Sequence, residues 1–275
     1  MSLTSFISQP HIRNVFKAAF PKPEGRLSDI SEEPVQSTGN PQLMGTSFDY
    51  LARFAIERAH PEIPVNQRPW VAESAIERMT AHGLPPAQVE EATQHVHRMR
   101  SMQMEYTMGG ELSDDLVSGC LDLGKLDTFF RSGYPPAALG TNSPEAVDEM
   151  RALLERADEF VKHPAGEVHL NPTFGSWSFH IGGADADVIY DRELTDIKTV
   201  KERKVRLDDY FQLMGYALLS DLALEEGESV PRIDAVALYY SRFGAWWTVD
   251  IQPIKESETW VQMKDFMREQ LAPIA

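Results

Sequence analysis

Cysteine is nearly absent: Cys120 is the single one in 275 residues. An internal disulfide and a cysteine-held zinc or iron–sulfur cluster are thereby excluded. Long apolar runs are missing too, and no stretch approaches the roughly 18 consecutive apolar residues that a membrane span needs. The first twenty residues hold no compact apolar segment followed by a small-residue cleavage site, so no secretory leader is expected and a cytoplasmic protein is. Internal repeats and low-complexity tracts are lacking. Positive charge is scarce, with 26 Lys and Arg against 42 Asp and Glu and a formal net charge of −16. Nucleic-acid affinity rests largely on cationic side chains that displace counterions from phosphates. A chain this acidic is expected to bind a polyanion weakly unaided, through a basic groove surrounded by acid, or with a protein partner that delivers the substrate. Acidic residues can also gather around a divalent cation, which reverses the local charge once bound.

What is present suffices for a large core, since 42% of the residues are hydrophobic and 25% charged. Residues 1–42 read as an N-terminal helix (12–20, with Ile12, Val15, Phe16, Ala19 and Phe20 at helical spacing) followed by a long Pro-, Ser- and acid-rich loop over 21–42. Residues 43–165 read as a helical region, with helices over 46–60, 66–82, 87–107, 113–130 and 143–163. Ser143 and Pro144 mark the start of the last of these, as cap and first-turn residue. From 166 to 275 the period changes. Strands are expected over 176–181, 184–190, 193–200, 234–240 and 245–251, with helices over 207–225 and 257–271. The order predicts an α/β (α+β) fold, a small mixed sheet flanked by helices, with a helical N-terminal half.

The chemistry concentrates in residues 182–200, GGADADVIYDRELTDIKTV. Asp185 and Asp187 are two residues apart, as are Asp196 and Lys198, so each pair shares one face of its strand. Two short strands joined by a tight hairpin at Asp191-Arg192 can set the carboxylates of Asp185 and Asp196 side by side, with the Lys198 ammonium beside them. Paired carboxylates suit Mg²⁺ or Mn²⁺, which keep waters and accept substrate phosphate oxygens. A neighbouring lysine can orient an attacking water or stabilise phosphoryl charge. Those are the minimal parts for phosphodiester hydrolysis. Asp-x-Lys alone is a cheap pattern, and an exposed ion pair is its ordinary explanation. Charges set among Ile189, Leu194, Ile197 and Val200 are less ordinary, because a buried charge needs a partner or a metal. Asp187 reads as an acidic side chain facing the same groove rather than as a second ligand.

Gly182-x-x-Asp185, then Asp196-x-Lys198, then Gln212-x-x-x-Tyr216 on the following helix resembles the RecB-like branch of the PD-(D/E)xK nuclease superfamily. That branch also has a glycine followed four residues later by a histidine on an upstream helix. Here Gly45 and Asp49 have that spacing, with aspartate in the histidine's place. The resemblance covers about residues 173–223 and the helix start near Gly45, and nothing between. It implies a restriction-endonuclease-like core and a Mg²⁺- or Mn²⁺-dependent DNA nuclease, exonuclease-like, working in DNA repair or anti-phage defence. It implies that Asp185, Asp196, Asp49 and the Ile197 carbonyl hold the metal and that Lys198 assists the water. Gln212 and Tyr216 would contact substrate or orient the acids. Asp49 has a plainer reading too, as the cap of a helix starting at Thr46. An inactive nuclease-fold subunit, serving as a binding scaffold in a larger complex, is the alternative to an enzyme.

Three further features are weighed. His95 and His97 are two apart on a helix and face different ways, a poor metal pair. Tyr239, Tyr240, Phe243, Trp246 and Trp247 fit core packing better than base stacking. The basic run Lys201, Arg203, Lys204 and Arg206 follows the Lys198 strand directly and reads either as a phosphate contact or as a solvated loop.

Overall fold

The computed structural model describes residues 2–23, 25–28, 33–66, 69–134 and 136–271. Parts of the expected loops, at residues 24, 29–32 and 135, and residues 67–68 of the helix expected over 66–82, lie outside the described residues.

Chain order begins with helices α1 (Leu3–Ile7) and α2 (Pro10–Ala19), then strand β1 (Arg26–Leu27), inside the expected loop. Helix α3 (Pro41–Ala59), strand β2 (Val65–Asn66) and helices α4 (Val71–Ala81), α5 (Pro86–Thr107), α6 (Asp114–Ser132), α7 (Pro144–Arg156) and α8 (Asp158–Val161) follow. The second half holds β3 (Val168–Leu170), α9 (Gly175–His180), β4 (Val188–Tyr190), β5 (Glu193–Lys198), α10 (Leu207–Glu225), β6 (Ala235–Tyr240), β7 (Ala245–Asp250), α11 (Gln252–Lys255) and α12 (Glu258–Leu271).

Several expected boundaries shift for identifiable reasons. Helix α3 begins at Pro41, not Thr46, because the Asn40 side chain accepts the N–H groups of Gln42 and Leu43 and Pro41 fits the first turn. Helix α4 starts at Val71, where Glu73 reaches back to accept the Trp70 N–H at 2.9 Å. The helix expected over 143–163 breaks at Ala157 into α7 and α8. The strand expected over 176–181 is the helix α9. Glu228 accepts the Ser176 N–H at its start, and the Ser178 hydroxyl donates to the Ala184 carbonyl at 2.7 Å. The strand at that place in the order is instead β3, three residues long.

Among the described residues the sheet has seven strands in the order β1-β7-β6-β5-β4-β3-β2. It is mixed: β5 runs parallel to β6 and β2 to β3, and the other neighbours are antiparallel. Alternating side chains feed two cores. Ile189, Leu194, Val236, Leu238 and Tyr240 pack with α1, α2, α9, α10 and α12 on one face. Val188, Tyr190 and Tyr239 pack with α3 to α8 on the other. The helical half thus forms a layer against the sheet, giving an α+β fold with helices on both faces. The aromatic residues of β6 and β7 serve this packing: Tyr239 stacks on Phe160 at 4.2 Å and touches Trp246 at 4.8 Å. No described helix is long and apolar enough to cross a membrane.

Candidate active site

The hairpin β4–β5 turns at Asp191, whose backbone takes a positive φ of 52°. Its carboxylate accepts the N–H groups of Gly166 and Glu167, which holds that conformation. The turn fixes the register Val188↔Thr195, so Asp187 precedes the first paired residue and its side chain reaches the opposite strand. There Asp187 Oδ2 accepts the Ile197 N–H at 2.7 Å. Asp196 is buried, and its Oδ2 pairs with Lys198 Nζ at 2.6 Å. Lys198 also contacts Asp209 of α10 at 3.3 Å.

Asp185 lies in the segment before β4, tied to the chain by a single bridge to Thr173, and its side chain is exposed. The Gly182-Gly183 pair before it takes φ values of 81° and 133°, which only glycine adopts at little cost. This sharp turn brings the Asp185 carbonyl under α10, where the Tyr216 hydroxyl donates to it at 2.7 Å. Gln212, one turn earlier, donates to the Tyr216 oxygen at 2.9 Å.

Asp49 comes from the opposite face, on the third turn of α3. It is therefore not a helix cap, since Asn40 has that place. Its neighbour one turn on, Arg53, lines the same cavity, as do Asp127 and Arg131 of α6. The two helices meet where Gly124 leaves no room for a side chain: a Cβ there would come within 2.2 Å of Ser47 Oγ.

Together these groups enclose a cavity of about 280 Å³. Of the residues expected in the site, Asp49, Asp185, Asp196, Ile197, Lys198, Gln212 and Tyr216 all line it. Asp187 does as well. Lys201, Arg203, Lys204 and Arg206 do not. Arg203 instead donates to the Ser28 carbonyl at 2.7 Å, a structural tie, while Lys201, Lys204 and Arg206 are exposed on the loop leading to α10. Sequence reasoning missed Arg53, Asp127 and Arg131. The signal was available as an Asp-x-x-x-Arg repeat on two helices, Asp49/Arg53 and Asp127/Arg131, one helical turn apart in each case.

Electrostatics set the cavity's character. It is lined by five aspartates against three cations, Arg53, Arg131 and Lys198. Burial, then the Asp196 charge, pushes the Asp187 carboxyl up to about 7. Asp49 is half-buried at the surface of the chain yet walled in by the cavity, and burial followed by the Asp187 charge raises it well above the carboxylate range. Burial also raises Asp196, against the pull of Lys198. Burial alone would lower Lys198, but Asp196, Asp209 and Asp187 outweigh it and hold the ammonium charged.

Three acids that resist ionisation beside one another suit a cation. Among the described residues no three His, Cys, Asp or Glu side chains are gathered tightly enough to grip an ion unaided. Mg²⁺ does not need three: it typically takes one or two carboxylates, several waters and the oxygens of a phosphate. Asp187 and Asp196, the latter paired only with the Lys198 ammonium, match that donor set.

Compared with protein-family models, curated proteins and solved structures, the chain gives no match. The site is read from its own geometry.

Proposed function

We propose that this chain is a Mg²⁺- or Mn²⁺-dependent nuclease that hydrolyses DNA phosphodiester bonds on a restriction-endonuclease-like core. The observation that carries the reading is the meeting of Asp187, Asp196 and Lys198 at the open end of one hairpin, with Asp49 facing them across a polar cavity. Asp187 and Asp196 would hold the metal, with Asp49 and the Ile197 carbonyl beside them. Bound there, a divalent cation lowers the pKa of a coordinated water and polarises a phosphoryl oxygen. Lys198 is no general base, because its three acidic neighbours keep it protonated. Its ammonium instead donates to the attacking water or to a phosphoryl oxygen and offsets charge developing there. Asp209 fixes the lysine from α10, and Tyr216 with Gln212 fixes the backbone at Asp185.

The test is incubation of the purified chain with labelled single- and double-stranded DNA in Mn²⁺ or Mg²⁺. Cleavage is expected, and Asp196→Ala and Lys198→Ala should abolish it. Equal cleavage by either variant sinks the reading.

One observation favours a second reading, a catalytically inactive nuclease-fold subunit that binds partners. The acids are already engaged, Asp187 by the Ile197 N–H and Asp196 by Lys198, in a protein of net charge −16. Calorimetric titration with Mn²⁺ separates the two. The enzyme has a site that Asp187→Asn removes; the scaffold has none.

A further inference from the structure

Two arginines in the cavity form no ion pair with the acids of the hairpin among the described residues. We propose that Arg53 and Arg131 together grip the phosphate of the nucleotide that enters the site. The proposal deepens the nuclease reading and rests on it for the identity of the ligand.

Both side chains are fixed through the near end of the guanidinium. Arg53 donates from Nε to the Asp49 carbonyl at 3.0 Å, and its guanidinium lies over the Tyr50 ring at 4.4 Å. Arg131 donates from Nε to Asp127 Oδ1 at 2.5 Å. Tyr50 joins the two mounts: its ring carries Arg53 and its hydroxyl donates to Asp127 Oδ2 at 3.4 Å. The same hydroxyl accepts the Ala72 N–H at 3.2 Å, which pins the frame to α4. The crossing of α3 and α6 at Gly124 makes this frame rigid, because the helices can approach no closer.

In each arginine the terminal Nη pair forms no hydrogen bond with a described residue, although both residues line a cavity with five aspartates. Arg131 stays 59% exposed at the side chain rather than folding onto a second acid. A guanidinium anchored by Nε presents its outer N–H fork, and that planar fork matches the oxygens of a phosphate. Two such forks carried on separate helices, on one Tyr50–Asp127 frame, make a preorganised tetrahedral-oxyanion site in the cavity that Lys198 also lines. A carboxylate ligand would be a weaker fit, since its two oxygens cannot serve two guanidinium forks and a cation at once. A phosphate can be shared between the guanidinium groups and a cation.

The full chain tests this with thymidine monophosphate and thymidine in parallel, by calorimetry in Mn²⁺, alongside cleavage kinetics on single-stranded DNA. Thymidine monophosphate should bind and thymidine should not. Arg53→Ala and Arg131→Ala should each weaken the monophosphate about tenfold to a hundredfold, the scale of a lost hydrogen bond to a charged group. Arg131→Lys, which keeps charge and loses the fork, should recover only part of the loss. In cleavage the arginine variants should raise KM more than they lower kcat. The double variant Arg131→Met/Asp127→Asn removes the acid that would be left unpaired, so a lost fold cannot imitate lost binding. Unchanged monophosphate affinity and KM in folded arginine variants, with Asp196→Ala inactive, overturns the grip and leaves the nuclease reading standing. Arginine-dependent monophosphate binding without DNA cleavage by the wild-type chain does the reverse.

Discussion

Asp187 Oδ2 accepts the Ile197 N–H at 2.7 Å, so the residue just before β4 is bolted to the strand that carries Asp196 and Lys198. Asp185, two residues earlier, is exposed at the cavity's edge, and its backbone carbonyl accepts the Tyr216 hydroxyl. The difference ranks the two acids. Asp187→Ala is expected to abolish Mn²⁺ binding and to lower cleavage by at least about a hundredfold, the scale of losing a group that stabilises reaction charge. Asp185→Ala should stay within about tenfold, below that range. Parallel cleavage rates for the two variants check this, and the opposite ranking would show that Asp185 is the ligand.

The same burial makes stability depend on pH. Asp187 ionises near 3.8 in an unstructured chain and at about 7 in the fold, because burial and the Asp196 charge disfavour its anion. A raised carboxyl pKa means that the folded state holds the proton more tightly. Its contribution is most favourable below about pH 4 and is lost as pH rises towards 7. The metal-free protein should therefore melt lower at pH 8 than at pH 5.5. Asp187→Asn should recover on the order of 1–3 kcal/mol at pH 8, or roughly 2–4 °C per kcal/mol. Mn²⁺ should raise the wild-type midpoint at pH 8 and leave the variant unmoved. Calorimetric melts across that range decide it.

Tyr216 offers a milder lesion. Its hydroxyl donates to the Asp185 carbonyl and accepts from Gln212, while its ring is buried against Phe174 at 5.5 Å. Tyr216→Phe keeps the ring and strands a carbonyl and an amide, at a cost of about 1–2 kcal/mol. The loosened segment is 182–186, so amide exchange there should quicken while exchange in β6 stays unchanged. A uniform acceleration would mean that the hydroxyl supports the whole fold instead.

The β4–β5 hairpin was readable because everything in it is local. Period-two patterning on either side of Asp191-Arg192 defines β4 and β5, and Asp196 and Lys198 follow from that parity. Helix α10 matches its pattern from Leu207 to Glu225 for the same reason. That Asp187 rather than Asp185 reaches across to β5 was not readable, because it depends on where pairing begins, and Val188 is the first residue in register. Ser176 to Ile181 has strand-like alternation, yet Glu228, some fifty residues away, stabilises it as a helix. The far wall of the cavity was hidden most deeply. Asp127 and Arg131 look like a routine ion pair one helical turn apart, and only the approach of α6 to α3 turns them toward Asp49.

That approach can be tested at two glycines. Gly45 resembles a motif residue in sequence, but a Cβ there would meet Thr199 at 3.7 Å, an ordinary contact. Gly45 also lies within α3, where glycine costs helix stability. Gly45→Ala should therefore stabilise the protein by about 0.5–1 kcal/mol. Gly124 lies where α6 presses on α3, and its added methyl would collide with Ser47 Oγ at 2.2 Å and Leu43 at 3.2 Å. Gly124→Ala should force the helices apart and cost about 1–3 kcal/mol. Because Asp49 and Arg53 lie on one helix and Asp127 and Arg131 on the other, the same separation should also weaken any ligand held across the cavity. Denaturant melts of the two variants, with Mn²⁺ titrations of each, measure both effects. A destabilised Gly45→Ala beside a tolerated Gly124→Ala would place the tight contact between these layers elsewhere.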